Sequence, residues 1–110
     1  MANTTKAELC TCLKKAQSVK ARMMSKEGSR QAARLLRLLS HPTRLQILKA
    51  LSCCDLCVCV ISRLAGSRQS NTSQHLARLK DSGLIESYQR GKLVYYKIKD
   101  QRVKALLSSL

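Results

Sequence analysis

Apolar positions along this chain change period several times, and each change marks an element. The first segment, roughly Thr5 to Met24, is rich in Ala, Leu, Lys and Gln. That composition predicts a helix, but a weakly amphipathic one, a loosely held extension. KEGSR (Lys26–Arg30) reads as a break after it. In QAARLLRLLSHPTRLQILKAL, Leu35, Leu36, Leu38 and Leu39 fit one helix ending near Ser40. His41 precedes a proline and is pushed out of the α region, while Pro42 suits the first turn of a new helix. There Leu45, Leu48 and Leu51 recur at i, i+3 spacing and Ile47 widens the face. His41 is accordingly a turn or capping residue rather than a ligand.

The stretch VISRLAGSRQSNTSQHLARLKDSGLI holds two short helices. Val60, Ile61, Leu64 and Ala65 give the first its apolar face, and Gly66 stops it. Ser67 or Ser70 can cap the second by accepting from its free amides. Leu76 and Leu79 give it a stripe, and Gly83 ends it. Two helices joined by a tight polar turn form a helix-turn-helix. In LIESYQRGKLVYYKI, β-prone runs flank Arg90-Gly91-Lys92, which reads as a hairpin wing with a basic tip. The last segment, Asp100–Leu110, carries Val103, Leu106, Leu107 and Leu110 at helical spacing. A helix this short and apolar is expected to pack against a partner, a second copy of the chain. The fold expected is mainly α with a small β-hairpin: a dimeric winged helix-turn-helix over residues 29–110, preceded by a helical extension over 1–28.

Charge narrows the function. The 110 residues hold 21 Lys and Arg against 6 Asp and Glu, a formal charge of +15. The basic residues are spread through periodic segments, which favours a folded binder of a polyanion over a basic tail. With no Trp, no Phe and three Tyr, stacking on single-stranded bases is a poor main mode. Duplex DNA read by a helix suits the composition better. On the segment Gln69–Ser82, the residues Gln69, Ser70, Asn71, Thr72, Gln74, His75 and Arg78 lie off the leucine stripe. Asn and Gln suit adenine edges, Arg suits guanine, and Ser or Thr suits bases or phosphates. His75 can equally pack against the neighbouring helix. Arg90 and Lys92 would reach phosphates, positioning rather than specifying. A dimer presents two such helices to half-sites about one helical turn apart. No apolar run reaches the roughly 18–20 residues of a membrane span, and the N-terminus lacks a secretory core. A cytoplasmic protein without membrane partners is expected.

The six cysteines fall into two groups, Cys10/Cys12 and Cys53/Cys54/Cys57/Cys59. In a reducing compartment such clustering points to thiolate chemistry rather than disulfides. In a regular helix Cys57 and Cys59 would point about 200° apart. They can share an ion only if the helix has not yet started there, or if binding distorts it. Cys54 and Cys57, or Cys53 and Cys57, would share a face of a helix running through them. Soft thiolates select soft or borderline ions: three sulfurs suit arsenite, antimonite or Pb(II), and four suit Cd(II) or Zn(II). A thiol-redox or persulfide sensor is the competing signal. The C-x-x-C of Cys54–Cys57 lacks the βαβ context of a thiol oxidoreductase. No catalytic triad, phosphate loop or acid pair is present, so no enzyme activity is expected.

From His41 to Lys99 the chain resembles the ArsR/SmtB family of winged-helix repressors. LSHPTRLQILKAL, DLCVC, SNTSQHLARLKDSGLIES and RGKLVYYKI occur in family order and spacing. The resemblance implies a homodimer joined by its terminal helices, bound to operator DNA without any cofactor and released by inducer. It also implies that Cys57-Val58-Cys59 is the inducer site, as in metal-sensing members. By the same resemblance Cys10 and Cys12 stand for the N-terminal cysteine pair with which cadmium and lead sensors complete their site, within one subunit or across from the other. Val60 replaces the usual acidic residue after the second cysteine, and Arg68 stands where Ser often precedes the recognition Gln. Cys53 and Cys54 are additional to the family pair. The tail offers Asp100 but no His, so the zinc site some members carry on the last helix is not expected.

Overall fold

The computed structural model describes the backbone of residues 6–110 and the side chains of residues 13–110. Among the described residues, six helices and three strands run in the order α1 (Lys6–Arg22), α2 (Lys26–Leu39), α3 (Pro42–Cys53), β1 (Leu56–Cys57), α4 (Val58–Ala65), α5 (Gln69–Asp81), β2 (Ile85–Arg90), β3 (Leu93–Ile98) and α6 (Gln101–Ser108). The chain divides into two compact units, the boundary falling inside α2 after Leu35.

The break expected at KEGSR falls earlier, at residues 23–25. Ser25 Oγ accepts from the Gly28 amide at 2.9 Å, which satisfies one of the free donors at a helix start. Lys26–Arg30 is therefore the first turn of α2, with Glu27 beside its positive end. The next junction forms as expected. His41 is the extended N-cap of α3, its Nδ1 accepting from the Thr43 amide at 3.2 Å, and Pro42 opens the helix. α4 ends at Gly66 with φ 64°, a left-handed C-cap that costs glycine nothing.

α3, α4 and α5 lie against a small antiparallel sheet of order β1-β3-β2. β2 and β3 pair from Ile85↔Ile98 to Arg90↔Leu93. Gly91 (φ 66°) opens the two-residue loop between them, the glycine placement a tight hairpin favours. β1 was not anticipated: Leu56 pairs with Tyr96 and Cys57 with Tyr95. Two residues show no alternation that a sequence pattern can register.

The core gathers Leu39, Ile47, Leu48, Leu51, Ile61, Leu76, Leu79, Leu84, Ile85, Ile98, Val103 and Leu107. The apolar face expected on α4 is only partly buried. Ile61 is inside with Ser62, while Val60 and Leu64 are exposed. On α6, Val103 and Leu107 are buried and Leu106 is exposed, as is Leu110 beyond the helix end.

Candidate nucleic-acid interface and thiol cluster

α5 follows α4 after a turn at residues 66–68, completing the helix-turn-helix. Arg68 occupies its N-cap without a side-chain capping bond. Neither Ser67 nor Ser70 caps it; Ser67 Oγ instead accepts from Asn71 Nδ2 at 3.0 Å. Gln69, Ser70, Asn71, Gln74 and Arg78 are exposed, as is Arg68. Arg90 and Lys92 are exposed at the wing tip. These are the side chains free to meet a duplex.

Two residues leave that set. Thr72 is fully buried, its hydroxyl without a hydrogen-bond partner, and His75 is 9% exposed. The physical reason is the stripe itself: 72, 75, 76 and 79 follow i, i+3, i+4, i+7, one continuous face of a helix. That spacing, counted without regard to residue polarity, identifies both as inward-facing. His75 Nδ1 accepts from Arg44 Nε at 3.1 Å. Arg44, absent from the sequence-based selection, is thus tied to the recognition helix by a contact 31 residues away, which no local pattern signals.

The four cysteines of CCDLCVC are free. They do not share one helix. Cys53 ends α3, and Cys54 is its C-cap with extended backbone (φ −166°, ψ 167°). The chain then stays extended to pair with β3. The expected helical pairings of Cys57 with Cys53 or Cys54 therefore do not form. Cys57 is the extended N-cap of α4 and makes no side-chain capping bond. Cys59 lies one residue inside the first turn. The helix has thus not begun at Cys57, which is the condition for the two thiols to approach one another. Among the described residues, no three Cys, His, Asp or Glu side chains are gathered in a metal-holding cluster. Cys10 and Cys12 lie on α1, outside the residues whose side chains are described.

Two contacts join the cluster to α5 and the wing. The Cys59 thiol donates to Gln69 Oε1 at 3.8 Å, and Gln69 is the first residue of α5. Tyr88 Oη, on the wing, donates to Asp55 Oδ2 at 2.7 Å. That bond raises the Tyr88 pKa above its ordinary value, with smaller contributions from desolvation and the Asp55 charge. The Tyr88 ring also stacks on Tyr95, their centroids 5.7 Å apart. Cys53 and Cys54 open into an apolar groove with Ala50, Leu56 and Leu64.

Residues 41–87, from the N-cap of α3 into β2, match the bacterial regulatory protein, arsR family. The HTH-type transcriptional regulator YgaV of Escherichia coli (strain K12) is 42% identical over 84 residues, covering 76% of this chain and 85% of YgaV. The chain belongs to the arsR family of bacterial regulatory proteins. ArsR-family proteins are DNA-binding transcriptional regulators, and the helix-turn-helix and wing described above are the parts this chain brings to that activity. A cadmium resistance transcriptional regulatory protein CadC homolog of Staphylococcus aureus is 35% identical, covering 76% of this chain and 70% of the homolog. The crystal structure of the AntR antimony-specific transcriptional repressor superposes with a TM-score of 0.72 at 26% identity, covering 79% of each chain. Among the described residues no helix is long and apolar enough to cross a membrane.

Proposed function

We propose that this ArsR-family regulator is a metal(loid)-responsive repressor: its dimer holds operator DNA, and thiolate coordination of a soft ion in CCDLCVC releases it. The observation that carries this reading is the Cys59–Gln69 contact. A cysteine bound to a soft ion is a thiolate, so Cys59 has no proton left to donate to Gln69. Drawing Cys59 toward Cys57 also disturbs the first turn of α4, the helix packed against α5. The free, accessible thiols suit Cd(II), Pb(II) or As(III), with Zn(II) as the borderline member. A relative named for cadmium resistance and a structural neighbour named as an antimony-specific repressor support this class.

Cys57 and Cys59 are the proposed constant ligands. Further sulfur comes from Cys53 or Cys54 beside them, or from Cys10 and Cys12. A loss of bound-metal stoichiometry or affinity in the double variant Cys10→Ser/Cys12→Ser assigns the role to the N-terminal pair. The exposed Leu106 on α6 and Leu110 just beyond it support the dimer, since a second copy would cover them.

The bond from Tyr88 to Asp55 joins the loop carrying Cys54 and Cys57 to the wing. In Tyr88→Phe the stacked ring remains and the bond is lost. We expect unchanged metal stoichiometry and a shifted metal concentration for half-release, measured by fluorescence anisotropy of bound duplex.

The test of the reading is a release assay on reduced protein with Zn(II), Cd(II), Pb(II), arsenite and an oxidant. Release by a thiophilic ion is expected. Release by the oxidant alone would assign the thiols to redox sensing instead.

A further inference from the structure

We infer that Arg44 and His75 form a positioning pair that sets the pose of the recognition helix, and that acid releases this pair and with it sequence-selective DNA binding. The inference rests on the family's DNA binding and not on the thiol reading.

One guanidinium ties three helices together. Arg44, in the first turn of α3, donates through Nε to His75 Nδ1 on α5 at 3.1 Å. Through Nη1 it donates to the Leu38 carbonyl near the end of α2, also at 3.1 Å. Carbonyls in the last turn of a helix lack an intrahelical partner, so the second bond satisfies an open acceptor. His75 lies on the buried stripe of α5 with Thr72, Leu76 and Leu79. The ring of His41 closes the group, its centroid 4.6 Å from that of His75 and its plane tilted by 59°. His41 is itself fixed by accepting from the Thr43 amide. The start of α3 thus holds the recognition helix by its inner face.

The bond from Arg44 sets the chemistry of His75. A neutral imidazole accepts on one nitrogen and donates on the other. Accepting on Nδ1 therefore places the proton on Nε2. Protonation turns Nδ1 into a donor facing an arginine that cannot give up its charge. The bond is lost and two cations face each other. Burial lowers the His75 pKa from its ordinary 6.5, and the charges of His41, Arg44 and Arg78 lower it further. Arg63 on α4 and Glu86 on β2, the other elements packed against α5, do not figure among these causes. The sign follows from the depressed value. The braced state takes up protons less readily than the unbraced one, so acid disfavours it. The brace is fully present above pH 6.5 and is lost as pH falls through the lowered value.

Acid also adds positive charge, which strengthens attraction to phosphate. Loss of selective binding with retained non-selective binding is therefore the signature. The probes are a duplex selected by this protein from a random pool at pH 7.5 and a scrambled duplex of the same composition. Between pH 7.5 and 5.5, wild-type affinity for the selected duplex is expected to fall about tenfold or more, the scale of a hydrogen bond to a charged group. Affinity for the scrambled duplex is expected not to fall. His75→Asn places an amide oxygen near the Nδ1 position and cannot titrate; its profile is expected to be flat. Arg44→Lys keeps the charge but loses the fork, so it should weaken the selected duplex and spare the scrambled one. A flat wild-type profile, a His75→Asn profile that falls like wild type, or equal losses on both duplexes in Arg44→Lys would overturn the proposal. Should either variant fail to fold, imidazole nitrogen NMR of the wild-type protein decides. The Nε2–H tautomer at pH 7.5, titrating below 6.5, supports the pair; the Nδ1–H tautomer or titration above 6.5 contradicts it.

Discussion

Cys57→Ser and Cys59→Ser proteins are expected to hold operator DNA almost as well as wild type and to fail to release it when metal is added. The two halves of this result have separate causes. DNA binding survives because serine fits both positions. At Cys57, an N-cap without a side-chain bond, Ser is a preferred residue and can satisfy a free amide. At Cys59 a hydroxyl can still donate to Gln69, the contact the thiol makes now. Release fails because an alcohol stays protonated at neutral pH and is a poor ligand for soft ions. We expect the metal concentration needed for release to rise by about 100-fold, the upper end of what the loss of a ligand's hydrogen-bond partner alone costs a metal site. Anisotropy of labelled duplex, titrated with Cd(II) and with arsenite, measures both halves at once. Release at wild-type metal concentrations in both variants would place the switch elsewhere.

The second large effect is on stability. Leu76 is fully buried on the stripe that anchors α5. Leu76→Ala removes its burial and leaves a cavity between α5 and the α4 and β2 elements it packs against. Such changes cost about 2–5 kcal/mol, against a total stability of roughly 5–15 kcal/mol for a domain. The variant is expected to unfold at much lower urea, followed by circular dichroism at one fixed protein concentration, since the proposed dimer would make stability concentration-dependent. Unlike the serine variants, it should lose DNA affinity with or without metal. An unchanged urea midpoint would mean that α5 is held by something other than its leucine stripe.

Much of the fold was legible because its signals are local. Pro42 behind His41, Gly66 behind the apolar end of α4, and Gly91 between two β-prone runs each fix a junction through backbone preference alone. The leucines of α3 and α5 fix the buried faces by periodicity. Where local rules competed, they misled. Gly28 suggested a break, yet the Ser25 side chain caps α2 and carries the helix through it. Polarity puts Thr72 on the DNA side and leaves His75 between DNA and the neighbouring helix, although the spacing places both inside. Val60 and Leu64 were assigned to the core by apolarity although they remain exposed.

The candidate switch was legible in part. The position of Cys57 and Cys59 before the recognition helix followed from the chain order of motifs. How the thiols reach the DNA-facing elements did not. Cys59 meets Gln69 across the turn, Asp55 meets Tyr88 across 33 residues, and β1 aligns Cys57 with Tyr95. These contacts exist only once the helix-turn-helix and the wing have packed, so no spacing in the sequence encodes them.

The central claim is that coordination by the CCDLCVC thiolates and departure from DNA are one event. The most direct test is a single Cd(II) titration of reduced protein bound to labelled duplex. Near-ultraviolet absorption from thiolate–metal bonding and duplex anisotropy are followed in the same cuvette. Both signals are expected to change together and to break at the same metal equivalent, and in Cys57→Ser/Cys59→Ser neither should follow the wild-type course. Full development of the absorption band while the duplex stays bound would contradict the claim.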